Sequence, residues 1–194
     1  DSGEIILEGK PVTIRKPIDA IRAGIVLTPE DRKKDGLCTK LSVRENLSLP
    51  NLDWISNKLG KVNNKQERDI SQKVVEELQI KLSNTELNAE SLSGGNQQKV
   101  VIGKWLARNS RVIIFDEPTR GVDVGAKVEI YNLMNQLKQQ GTGVLFVSSE
   151  LPEIMGISDR ILVMCDGKLT GEMMAADATE DKIMARATAF ESKI

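Results

Sequence analysis

The feature that most constrains the fold of this chain is a continuous apolar run, Val112-Ile113-Ile114-Phe115, that ends abruptly in Asp116-Glu117. A second apolar run, Gly143–Val147, follows a stretch (126–139) in which Val128, Ile130, Tyr131, Met134 and Leu137 recur at helical spacing. A strand apolar at every position belongs in a sheet covered on both faces, and two such strands joined by a helix pair in parallel. The predicted class is therefore α/β, a parallel sheet with flanking helices. Both strands are expected to be buried on both sides.

The rest of the chain divides around that unit. Glu4-Ile5-Ile6-Leu7 reads as a strand, Glu8-Gly9-Lys10 as a turn, and Val12-Thr13-Ile14 as the hairpin partner. Pro17 suits a helix start and Gly24 a stop, with Ile18, Ala20, Ile21 and Ala23 between them. Ile25-Val26-Leu27 is a further short strand. From Pro29 to about Leu92, polar loops alternate with helical patterns at 43–49 and 66–80, the second carrying Ile70, Val74, Val75 and Leu78. A helix is predicted over 97–107, directly after Gly94-Gly95. Beyond the βαβ unit, a short helix over 151–155 precedes a strand at 161–164. Asp166-Gly167 then turns into Lys168 and the following strand. Thr179 is placed to cap a last helix whose surface is charged by Glu180, Asp181 and Glu191.

Composition removes whole classes of chemistry. Histidine is absent, so histidine-based acid–base work, Ser-His-Asp or Cys-His nucleophiles and most zinc sites are excluded. The net charge is −1 and no basic footprint is concentrated anywhere, which argues against a nucleic-acid partner. Cys38 and Cys165 are far apart and are read as free thiols in a reducing compartment. No apolar run approaches the roughly 20 residues of a membrane span. Asp1 opens the chain without a Met, and the chain reads as a fragment.

Two places carry candidate chemistry. Asp116-Glu117 stands at the carboxyl end of a buried strand, where open α/β sheets place their ligands. In nucleotide hydrolases a carboxylate there helps to hold Mg²⁺ and a neighbour orients the attacking water. The alternative is that Asp116 only begins the Pro118-Thr119 turn. The second place is Leu92-Ser93-Gly94-Gly95-Asn96-Gln97-Gln98 before a helix. Two glycines allow close approach to an anion, and the helix start offers free N–H groups. A flexible turn is the plain alternative. Trp105, Phe115, Tyr131 and Phe146 are read as core, and Met164, Met173, Met174 and Met184 as gap-fillers.

Taken together these runs resemble the ATP-binding-cassette (ABC) ATPase family. Leu92–Gln98 is similar to its signature sequence, Asp116-Glu117-Pro118-Thr119 to its Walker B region, and Gly121-Val122-Asp123 to its D-loop, in the family's order and spacing. Residues 24–30 resemble the strand to the Q-loop, 41–49 the segment after it, and 159–167 the terminal hairpin. The wording Pro29-Glu30-Asp31-Arg32-Lys33, Thr119-Arg120-Gly121-Val122-Asp123-Val124-Gly125-Ala126-Lys127 and Ser148-Ser149-Glu150-Leu151-Pro152-Glu153 is similar to the second cassette of monosaccharide importers. The resemblance implies a P-loop NTPase-like core over 1–28 and 106–194, with a helical subdomain from 29 to 105. It implies ATP and Mg²⁺ as cofactors, Asp116 on the metal and Glu117 as catalytic base. Ser93, Gly94, Gly95, Asn96, Gln97, Asp123, Glu30 and Ser149 are the implied nucleotide contacts. The implied partners are another cassette, transmembrane permease subunits and, indirectly, a periplasmic sugar-binding protein. The implied location is peripheral, on the cytoplasmic face of a bacterial inner membrane.

The chain also departs from the pattern. A phosphate loop needs G-x-x-x-x-G-K-[ST]. The nearest candidate, Gly3 to Gly9-Lys10, has the wrong spacing and Pro11 where a hydroxyl belongs, so the loop is expected before residue 1. Glu30 stands where many members carry the Q-loop glutamine, and Ser149 where they carry the switch histidine. This half's own ATP site is therefore expected to be degenerate. Two rival readings remain: a non-catalytic dimerisation or regulatory module, and a soluble cassette ATPase of translation or DNA repair.

Overall fold

A computed structural model describes residues 3–108 and 110–189. Glu191, assigned above to the last helix, lies outside the described residues. The chain divides into two compact units, before and after the Val147–Ser148 bond.

The first unit opens with the hairpin β1 (Ile5–Leu7) and β2 (Lys10–Val12). Glu8 and Gly9 both take positive φ, 52° and 74°, which makes a two-residue turn matched to strand twist. Leu7 therefore pairs directly with Lys10, and the partner strand starts two residues earlier than the 12–14 expected from sequence. Helix α1 (Pro17–Ala23) follows. The Asp19 carboxylate accepts the Arg15 and Lys16 N–H groups at 3.1 and 3.0 Å, and Gly24 closes the helix at φ 83°.

Strands β3 (Ile25–Thr28), β4 (Val112–Asp116) and β5 (Gly143–Val147) form a parallel sheet in that order. Thr28, Phe115 and Phe146 stand side by side, so the carboxyl ends of all the strands finish level. One face is packed, with Val26, Ile113 and Phe115 buried. The alternate residues are not: Leu27, Leu145 and Val147 are 49%, 48% and 52% exposed. The expectation of strands covered on both faces fails here, since these side chains stay about half exposed.

The helical layer comprises α2 (Val43–Ser48), α3 (Leu52–Ile55), α4 (Asn64–Glu77) and α5 (Gly94–Leu106), with α6 (Val124–Gln139) linking β4 to β5. Ser42 and Glu45 form a reciprocal capping box at α2. Asn63 accepts the Lys65 and Gln66 N–H groups and so starts α4 two residues earlier than predicted, while Gln79, at φ 49°, ends it early. Val43, Leu47, Val74, Leu78, Val100 and Val101 close into one core. Gly103 permits that closeness, since a Cβ there would sit 2.5 Å from a Val74 methyl. Asn46, 1% exposed, receives the Cys38 N–H and donates to the Cys38 and Ser42 carbonyls, pinning the loop before α2.

The second unit holds α7 (Leu151–Ile157), the hairpin β6 (Arg160–Cys165) and β7 (Lys168–Met174), and α8 (Glu180–Ala187). Asp166 and Gly167 make the positive-φ turn predicted for them. Thr179 Oγ1 accepts the Lys182 N–H at 3.3 Å, the expected cap of α8. Ile161, Val163 and Ile183 form its core with Met173 packed against them. Met164, Met174 and Met184 are exposed and fill no gap. Of the aromatics, Phe115 is fully buried, whereas Trp105, Tyr131 and Phe146 are half-buried. Among the described residues no helix is long and apolar enough to cross a membrane.

Candidate functional site

At the carboxyl end of β4 the chain turns sharply. Asp116 is the last strand residue, paired with Val147, and Glu117 takes φ 44°, a left-handed conformation that costs a side-chain-bearing residue about 1 kcal/mol or more. Two hydrogen bonds hold it: its N–H donates to the Val147 carbonyl at 3.0 Å, and its carbonyl accepts the Arg120 N–H at 3.1 Å. Pro118 and Thr119 are buried beneath the turn. No glycine in the sequence signals this turn. Gly121, at φ 66°, reverses the chain again. Asp123 is exposed and caps α6, its Oδ1 accepting the Ala126 N–H at 3.0 Å.

The start of α5 lies in the same unit. The helix begins at Gly94, three residues before the sequence estimate, so the glycine pair forms its first turn. Ser93 occupies the N-cap position but gives no side-chain cap; its hydroxyl accepts Asn96 Nδ2 at 2.9 Å instead. Asn96 Oδ1 accepts the Lys81 N–H at 2.9 Å. Ser93 is exposed and Gly94 half-buried, leaving the free N–H end of a 13-residue helix at the surface. Gly95 is buried, and a Cβ on it would come within 2.6 Å of Ala126 Cβ. Its missing side chain serves the crossing of α5 over α6. Gln97 is 2% exposed and donates to the Ala89 and Glu90 carbonyls at 3.2 and 3.4 Å, an inward contact within the helical layer.

Glu30 is exposed two residues beyond β3 and ion-pairs with Arg120. Beside it, Arg32 donates to the Arg120 and Gly121 carbonyls and to Gln97. Arg32 falls in the stretch after Pro29 that the sequence marks only as polar loop. Its partners stand 65 to 89 positions away, beyond any local signal. Nearby, burial pushes the Lys104 ammonium down, and a hydrogen bond from Lys99 draws the Glu129 carboxyl below its usual range. Ser149 is exposed in the second unit; there it is Ser148 that organises the chain, donating to Glu153 at 2.7 Å and accepting the Glu150 N–H. Both cysteines are free, Cys38 exposed and Cys165 buried.

Among the described residues no three Asp, Glu, Cys or His side chains converge as a metal cage. Mg²⁺ asks for less, because with a nucleotide it takes one or two protein carboxylates and completes its octahedron with phosphate and water oxygens. Asp116, half-buried at the sheet edge, suits that part.

Comparison with known proteins accords with this geometry. The family model described as "ABC transporter" matches residues 1–120, more than half of the chain. The ribose import ATP-binding protein of Bacillus subtilis (strain 168) is 49% identical over 188 residues, covering 97% of this chain and 38% of the relative. The xylose import ATP-binding protein of Thermoanaerobacter pseudethanolicus is 53% identical, covering 96% of this chain and 37% of the relative. The chain thus spans well under half the length of these relatives. Among solved structures, a nucleotide-free ATP-binding cassette from an ABC transporter superposes with TM-score 0.76 at 25% identity, over 90% of this chain and 70% of that one.

Proposed function

As a member of the ABC transporter family, this chain is, we propose, the later part of the second ATP-binding cassette of a bacterial monosaccharide importer, lending its signature to the ATP site of a partner cassette. The observation that carries this reading is the uncapped start of α5, where Ser93 and Gly94 reach the surface beside free helix N–H groups. Such an end binds phosphate. The resemblance of Leu92–Gln98 to the ABC signature assigns that phosphate to a nucleotide held by another cassette.

In this role the residues divide as follows. Ser93 supplies a hydroxyl and Gly94 an unobstructed N–H to the nucleotide's terminal phosphates. Bound ATP·Mg²⁺ supplies the phosphoryl bond and neutralises its charge. Asp116 is the residue to hold the metal and Glu117 the base to orient water. Glu30 and Ser149, in place of a glutamine and a histidine, leave that second site weak in turnover. Closing the cassettes on ATP and parting them after hydrolysis drives a transmembrane permease, which delivers a sugar brought by a periplasmic binding protein. The cassette itself works peripherally at the cytoplasmic face of the inner membrane. The names of the ribose and xylose import relatives support this substrate class.

In the full transporter, Ser93→Arg abolishes ATP hydrolysis and sugar uptake, because a long cation fills the phosphate approach. Glu117→Gln costs far less. Equal losses from the two substitutions in a paired ATPase and uptake assay would refute the asymmetric reading. The 194-residue chain alone binds ATP weakly; tight binding in titration calorimetry would count against it.

A further inference from the structure

The short turn Arg32–Gly36, which follows Glu30, is bolted to α5 at both ends. Asp31 caps it, its carboxylate accepting the Lys33 and Lys34 N–H groups, each at 3.0 Å. At the far end, Gly36 gives its carbonyl to the buried Lys104 ammonium and packs on Val101. At the near end, the Arg32 guanidinium reaches three ways: Nε to Gln97 Oε1 at 3.4 Å, Nη1 to the Arg120 carbonyl at 2.8 Å, and Nη2 to the Gly121 carbonyl at 3.0 Å. The Arg120 side chain returns to Glu30 as an ion pair. Gly94 accommodates this arrangement, since a Cβ there would lie 2.9 Å from Arg32 Nη2 and 3.2 Å from the Gly121 carbonyl oxygen.

We propose that Arg32 is a positioning residue that locks the Glu30 segment, the start of α5 and the turn after Glu117 into one body. A displacement at Glu30 then moves the Ser93–Gly94 surface and the Gly121 turn together. This rests on the reading that Ser93 and Gly94 meet a partner's nucleotide, and it adds how that surface is coupled to the segment after β3. Only a guanidinium fits the task. Its planar fork satisfies two neighbouring carbonyls and a third acceptor at once, which a lysine ammonium does not. Gly121's left-handed φ of 66° also makes side-chain-bearing residues strained at that turn.

The test uses Arg32→Lys, which keeps the charge, with Arg32→Ala beside it. By hydrogen exchange on the 194-residue chain, amides 119–124 exchange about tenfold faster in Arg32→Lys, while those of β3 and β4 are unchanged. Circular dichroism confirms that the variant is folded. In the full transporter the same variant lowers kcat for ATP hydrolysis by about tenfold and leaves KM within about twofold, because the guanidinium is engaged by three protein acceptors and acts through the groups it holds. Unchanged exchange in both variants would overturn the lock, and faster exchange with an unaltered kcat would overturn the coupling. Retained ATPase activity in Ser93→Arg would instead sink the partner-site reading and leave the exchange result standing.

Discussion

The helical layer and the parallel sheet of the first unit reach burial in different ways. Around α2, α4 and α5 the apolar side chains meet one another, and Val43, Leu47, Val100 and Val101 have no exposed surface at all. The sheet is finished on one side only, with Phe115 sealed and Leu27, Leu145 and Val147 open on the other. The strands are the more apolar of the two in sequence, yet it is the helical layer that is closed, so apolarity alone does not say what covers a surface. A helical layer with three mutually facing stripes can complete itself, while each strand of a sheet presents two faces and needs two separate covers.

The largest expected effect tests that difference directly. Leu47→Ala, in the closed layer, destabilises the chain by about 2–5 kcal/mol, the usual result of emptying a well-packed site. Leu145→Ala, on the open face, changes stability by less than about 0.5 kcal/mol. Urea unfolding monitored by circular dichroism measures both, and similar values would show that the open face is packed in solution.

This contrast also governs what could be read beforehand. The βαβ unit was legible because its pattern is local and strong: β4 and β5 fall on the predicted runs, and α6 begins only two residues before its predicted start. Positive-φ turns announced themselves at Asp166-Gly167, where a glycine stands in the second place. At Glu8-Gly9 the same signal was present, but the partner strand was placed too late. Glu117 has no such signal, because its left-handed backbone is imposed by the Val147 and Arg120 bonds. Asp116 and Glu117 could be nominated from their position after an apolar run. Arg32 could not, since its partners are brought to it by the meeting of β3, β4 and α5. Gly95 was read with Gly94 as an anion approach or a flexible turn, and its part in a helix crossing shows only in the Ala126 opposite it.

A smaller effect separates the two regions by charge. Glu45, Asp53 and Glu86 lie in the helical layer, and Glu129 on α6 pairs with Lys99 of α5. Hydrogen bonds from Ser42, Arg108, Arg44 and Lys99 respectively hold these carboxyls below their usual range. A lowered folded-state value means that the stabilisation is present above the ordinary carboxyl pKa, 4.5 for glutamate, and is lost as pH falls through the lowered value. Acid therefore loosens the helical layer first. With the intrinsic slowing of exchange in acid divided out, protection factors measured at neutral pH and below 4.5 should fall in α2 and α5 before they do in β4. The reverse order would mean that the exposed pairs carry no measurable stabilisation.

The smallest effect on folding is the most informative about the open face. Leu27, Ile114 and Leu145 stand in one cross-strand row, joined by the β3–β4 and β4–β5 registers. An apolar row of this kind at a surface is a site of association, because water is displaced from it wherever a second apolar surface arrives. Leu145→Thr introduces the β-branched shape that strands favour and removes much of the apolar area. Its expected signature is a split result: an unfolding midpoint close to that of the parent chain, with weaker self-association at high concentration in sedimentation velocity. If self-association is unaltered while the midpoint falls, Leu145 is packed like the residues of the helical layer, and the two regions of this unit are built alike after all.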